Sequence, residues 1–210
     1  MRKWEYKDCM FLNEIRYADF MRLPPRNNVR QIDNVLRKLV NIGGKSYENA
    51  VTYNIANGKS SRIIKGTLRS VSPNSLQKTR PKVNRFVLHN HPTKTSLSYS
   101  DLRSATNKHK QIYAATPSGS RFRGYVKNDE RNILQLHPEL QSTVASTLRK
   151  RTKLNEHDVN FIASHHTNKL LHKKGVVHYR ARLSQPDRDL YDTYKNQLNN
   201  MQFALKRTPN

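Results

Sequence analysis

One cysteine in 210 residues, Cys9, leaves no partner for an intramolecular disulfide, so nothing in the chain requires an oxidising compartment. That thiol reads as a small, partly buried hydrophobe rather than a reactive group. Long apolar runs are missing too. No stretch approaches the ~18–20 apolar residues that span a bilayer. The opening "MRKWEYKDCMFLNEIR" has no continuous apolar segment of the signal-peptide kind. The expectation is a chain that is not secreted and has no membrane partner, kept in the cytoplasm or within a virion or other nucleoprotein complex. Hydrophobic residues make up 35%, below the ~45–50% of ordinary globular chains, which predicts some solvated segments. The chain also lacks internal repeats and low-complexity tracts.

Carboxylates are scarce. Fifteen acidic residues face 39 basic ones, for a net charge of +24. The excess is not a tail: residues 1–138 hold 26 basic and 9 acidic residues, and residues 139–210 hold 13 and 6. A field of that sign draws polyanions by releasing their counterions, which points to nucleic acid or another acidic partner. The bland alternative is a solvated basic surface. No RNP, zinc-finger or basic-zipper signature accompanies the charge, and the ten tyrosines form no stacking-platform motif.

The periodic segments come in a clear order. "NVRQIDNVLRKLVNIGG" places Val29, Ile32, Val35, Leu36, Leu39 and Val40 at helical spacing, with Asn28 as a candidate N-cap and Gly43-Gly44 as the stop. "ENAVTYNIANGKSSRIIKGTL" reads as strands around an Asn57-Gly58 turn. Residues 72–82 read as a polar loop, and "VNRFVL" as a short buried strand. A helix is predicted from about Ser98, then a hairpin "QIYAATPSGSRFRGYV" whose arginines read as an exposed basic surface. This order predicts an α/β fold, an α/β/α sandwich on a mixed sheet. The expected organisation is an N-terminal arm over 1–28, a core over 29–130 and a basic helical extension over 131–210. Three helices are predicted in that extension, the last with a stripe of Leu190, Tyr194, Leu198, Met201 and Leu205. His165, His166 and His172 are expected there as polar surface or an anion-contacting face.

The chemistry gathers in "RFVLHNHPTKTSLSYSDLRSA". Alternation in an extended segment puts His89 and His91 on one side and Asn90 on the other. Pro92 ends the ladder. Asp101, in the first turn of the next helix, can bring a third ligand to the same point. Two histidines and a carboxylate around an open position form a zinc site of the catalytic kind. Water activated there needs a base. Glu48, at a strand start, is the only acidic residue between Asp33 and Asp101, so elimination selects it. Ser98 and Ser100 are candidate caps for the helix that carries Asp101.

The set His89-Asn90-His91-Pro92, then Ser98-Tyr99-Ser100-Asp101, with an upstream glutamate, resembles the metal site of the JAMM (MPN-type) metallopeptidase family. That family includes deubiquitinating isopeptidases and RadC-like proteins. The resemblance spans about 29–127 and implies a cytidine-deaminase-like sandwich, Zn2+ on His89, His91 and Asp101, Glu48 as general base, and Ser98 stabilising an oxyanion. It further implies a peptide or isopeptide substrate, including ubiquitin-like conjugates. Between Pro92 and Ser98 lie five residues, fewer than in many members, and in this the chain is most similar to JAMM-like proteins of phage and mobile elements. Two other readings stay open at this point. One is a nucleic-acid-associated architectural component using the fold as a scaffold. The other, resting on RadC analogy and charge alone, is a nuclease or repair role.

Overall fold

Gly44 ends the first helix as its position predicts: its φ is +53° and its N–H donates to the Val40 carbonyl at 2.7 Å. That helix opens the part of the chain described by a computed structural model, residues 26–68, 70–71, 85–107, 111–126 and 134–199. The N-terminal segment through residue 25, the whole of the expected 72–82 loop, and the stripe positions Met201 and Leu205 lie outside the described residues.

In chain order the elements are α1 (Arg26–Gly43), β1 (Asn49–Asn54), β2 (Lys59–Ser60), β3 (Ile64–Lys65), β4 (Arg85–Asn90), α2 (Tyr99–Asn107), β5 (Gln111–Ala115) and β6 (Arg121–Val126). Then follow α3 (His137–Arg151), α4 (Glu156–Lys173), β7 (Val177–Arg182) and α5 (Gln185–Asn199). The strands form one mixed sheet in the order β2-β1-β4-β5-β6-β7, with β3 also paired to β1. Strands β4 and β5 run parallel, and α2 supplies the crossover that a parallel pair requires.

Alternation along the central strands sorts two cores. Phe86 and Leu88 pack with Val51, Tyr53, Tyr113 and the Ile32-Leu36-Leu39 stripe of α1. Val87, Ile112, Ala114 and Phe122 face the other way, against Leu102 of α2, Val144 of α3 and Phe161 of α4. Each fully buried aliphatic or aromatic side chain contributes roughly 1.5–3 kcal/mol, so β4, buried on both faces, is the fixed axis of the fold. The α/β class, the Asn57-Gly58 turn (Gly58 φ +67°) and the β5–β6 hairpin match the sequence reading.

Four expectations are corrected. The segment after 131 is not purely helical, because β7 pairs antiparallel with β6 and extends the sheet. For the same reason the β5–β6 hairpin is not an exposed basic surface: β6 lies between two strands, Arg121 pairs with Asp33, and Arg123 lies over the Tyr113 ring. Asn28 is not an N-cap, since the helix starts earlier and the buried Asn28 side chain donates to the Ile55 carbonyl at 2.8 Å. His165 and His166 are core groups, hydrogen bonded to Tyr179 and Tyr191 at 2.7 and 2.9 Å; His172 is exposed, as expected. No helix among the described residues is long and apolar enough to cross a membrane.

Candidate metal centre

Strand register decides what stands around the histidines. In the β1–β4 ladder Ala50 is opposite His89, so two places further along, Glu48 falls opposite His91 on the same face. The Glu48 backbone is held from the other side by the β3 turn: its N–H donates to the Thr67 carbonyl and its carbonyl accepts from Gly66, both at 2.7 Å. A Cβ on Gly66 would lie 2.3 Å from the Ser70 carbonyl oxygen and 2.9 Å from that of Glu48, so only glycine passes there. His91 still donates its N–H to the Ala115 carbonyl of β5 at 2.8 Å, and the chain leaves the sheet at Pro92.

Asp101 arrives on α2. Its N–H donates to Ser98 Oγ at 3.2 Å, while Ser98 N–H and Ser98 Oγ donate to Asp101 Oδ2 at 2.7 and 2.8 Å. This is a reciprocal cap, which satisfies orphan donors of the first helical turn and fixes the carboxylate together. Ser98 is therefore the cap residue, and Ser100 lies within the helix.

The donor atoms converge. His89 Nε2 and His91 Nε2 are 2.7 Å apart, and each is 3.3 Å from an oxygen of Asp101. With Glu48 added, one donor atom from each of the four residues lies within 4.8 Å of the others. Glu48, His89 and His91 are buried, and the Asp101 side chain is 14% exposed. His91 Nδ1–H donates to the Thr95 carbonyl at 2.9 Å, which leaves Nε2 as its ligand atom. These nitrogen and oxygen donors, at this spacing, suit a divalent cation.

Protonation follows from the crowding. Burial opposes charge on His91, but the Asp101 hydrogen bond and charge, the Glu48 charge and the Thr95 carbonyl outweigh it and raise the imidazole to about 9. Burial works to raise Asp101, yet the charges and hydrogen bonds of His89 and His91 hold it well below the usual carboxylate range. Glu48 is raised, first by burial and further by Asp101, against the pull of both histidines. The metal-free site thus holds protons where a cation would sit.

The four residues line an open cleft of 760 Å³, together with Leu68, Val71, and His157 and Asn160 of α4. Every predicted site residue, Glu48, His89, His91, Ser98 and Asp101, is at this one place. What the sequence did not reveal is the support behind them. In the sequence Asn90 reads only as facing away from the histidines, and nothing near Thr95 marks its carbonyl as a partner of His91. No family model, curated protein or solved structure matches the chain.

Proposed function

We propose that the chain is a zinc-dependent hydrolase of the JAMM type that cleaves a peptide or isopeptide bond, with His89, His91 and Asp101 as metal ligands and Glu48 as general base. The observation that carries this reading is the convergence of two imidazoles and two carboxylates on the wall of an open cleft. Three ligands plus a nearby carboxylate and an open side is the arrangement of a catalytic rather than a structural zinc site. When bound, zinc supplies Lewis acidity, polarising a carbonyl and bringing the pKa of a water to ~7.

Glu48 would take one proton from an attacking water as the water oxygen bonds to the carbonyl carbon, and would return it to the nitrogen as the C–N bond breaks. A carboxyl whose pKa is raised by burial is suited to both transfers. Ser98 is assigned a hydrogen bond to the developing oxyanion, which requires its hydroxyl to turn from Asp101 toward the substrate.

Elemental analysis of purified protein beside His89→Ala/His91→Ala tests the reading. About one zinc per chain, lost in the variant, is expected. A wild-type chain that takes up no zinc after chelation and re-addition would leave the histidines without a catalytic role.

The +24 charge favours a second property compatible with the first, association with nucleic acid. Polyanion binding is then expected to weaken steeply with salt and to survive chelation. Binding that is insensitive to salt removes this reading.

A further inference from the structure

Five residues, Thr93 to Leu97, carry the chain from the His-x-His-Pro strand end to the helix of Asp101. Ser96 and Leu97 are 1% and 0% exposed, so their backbone polar groups have no access to water and need protein partners. The partners come from α4, more than sixty residues later. Ser164 Oγ accepts the Ser96 N–H at 3.0 Å, and Asn168 Nδ2 donates to the Leu97 carbonyl at 2.8 Å. Ser164 and Asn168 are four apart and share one helix face.

The Ser96 side chain is held as firmly. Its Oγ lies 3.2 Å from Asn168 Nδ2 and 2.6 Å from Tyr179 Oη, and Tyr179 Oη lies 2.7 Å from His165 Nδ1. The donor order Asn168, Ser96, Tyr179, His165 satisfies both hydroxyls. Burial, with the Lys169 charge adding to it, lowers His165 to about 3, so this acceptor stays neutral at ordinary pH. On the other side of Thr95, the Lys94 ammonium pairs with Asp158 of α4 at 3.1 Å and with the buried Asp187 of α5 at 2.9 Å. Thr95 is thus fixed between two anchored neighbours, and its carbonyl is the one that orients His91.

We infer that Ser164 and Asn168 are positioning residues for the metal site: α4 acts as a template for the short loop, setting the Thr95 carbonyl behind His91 and the start of the helix that presents Asp101. Neither touches the metal ligands, so they act through Ser96 and Leu97. The inference rests on the proposed metal site and adds that its geometry is built by residues far beyond the histidines in sequence.

Metal-free full-length protein titrated with Zn2+ against a chromophoric chelator, and with Co2+ followed by visible absorption, tests it. Removing outer partners of metal ligands typically costs ~10–100-fold in affinity. Acting one step further out, Ser164→Ala and Asn168→Ala are each expected to weaken Zn2+ binding by up to about 10-fold and to alter the Co2+ spectrum. The control is Val144→Ala, a fully buried α3 position with no hydrogen bond to the loop. It is expected to lower Tm while leaving affinity and spectrum unchanged. Ser164→Ala removes a single oxygen, so it decides the matter even where Asn168→Ala does not fold. If wild type binds one zinc and Ser164→Ala binds it equally well with the same Co2+ spectrum, the template role is overturned while the metal site stands. A wild-type chain that binds no metal overturns both.

Discussion

The Asn90 side-chain oxygen accepts the backbone N–H of Asn49 at 2.7 Å, and the nitrogen of the same carboxamide donates to the Tyr47 carbonyl at 2.8 Å. The two peptide groups it holds flank Glu48. Because the strand alternates, Asn90 lies on the α1 side while His89 and His91 face the cleft, so one three-residue stretch fixes Glu48 from behind and places two imidazoles in front. Gly43 makes room for this: a Cβ there would lie 2.6 Å from Asn49 Nδ2 and 2.7 Å from Asn90 Nδ2.

Asn90→Ala is therefore expected to destabilise the chain by about 1–3 kcal/mol, because it strands the buried Asn49 N–H. Gly43→Ala is expected to cost about 1–3 kcal/mol through overpacking. Urea unfolding followed by circular dichroism measures both. If Asn90→Ala unfolds at the wild-type midpoint with an unchanged slope, Asn90 does not clamp the Glu48 segment.

Glu48→Gln keeps the shape and removes the proton acceptor. Once a cleaved substrate is in hand, turnover is expected to fall by ~10²–10⁴-fold with zinc content unchanged. Asp101→Ala, by contrast, is expected to lose zinc and turnover together. A Glu48→Gln protein with wild-type turnover and a full complement of zinc would remove Glu48 from the base role.

Ser98 makes a prediction about the cap. In Ser98→Ala the Asp101 N–H loses its acceptor and Asp101 Oδ2 loses a hydroxyl donor, so stability is expected to drop by ~1 kcal/mol. Zinc affinity should fall with it, since Asp101 Oδ2 keeps only the backbone N–H of residue 98. Ser98→Thr restores a hydroxyl at the cap and should recover both quantities in thermal melts and zinc titrations. Zinc affinity unchanged in Ser98→Ala would mean that Asp101 is placed by the helix alone.

The site was legible in the sequence because its order is local. His-x-His at a strand end, a serine three before the aspartate, and a lone glutamate at a strand start can all be read from spacing and scarcity. Strand β7 was not: Val177, Tyr179 and Ala181 do alternate with His178, Arg180 and Arg182, but six residues between two helices are a weak signal, and the pairing with β6 joins residues 51–61 apart. The burial of His165 and His166 was hidden for a similar reason. Their partners Tyr179 and Tyr191 lie on other elements, and nothing on α4 announces them. Local pattern marked the converging side chains, while the groups that hold them are defined only by tertiary packing.

The protons held by the metal-free site set a pH dependence whose sign can be derived. His91 is raised from 6.5 to about 9 on folding. Its contribution is fully present below pH 6.5 and is lost as pH climbs through about 9. Glu48, raised above 4.5, pushes in the same direction, because the folded chain holds that proton longer than the unfolded one. Asp101, depressed below 3.8, sets the acid limit: its contribution is present above 3.8 and is lost as pH falls through the lower folded value. Below pH 6.5 the buried His165 and His166, lowered to about 3 and 4, work the other way, so chelator-treated protein is expected to lose Tm from about pH 7 to 9. Zinc reverses the trend, since His91 must give up its proton to bind and affinity then rises with pH. Calorimetric titrations at pH 7 in buffers of different ionisation enthalpy should register proton release on zinc binding. A heat independent of buffer, with a Tm that is flat across the same range, would show that His91 is already neutral and that Asp101 does not hold its proton.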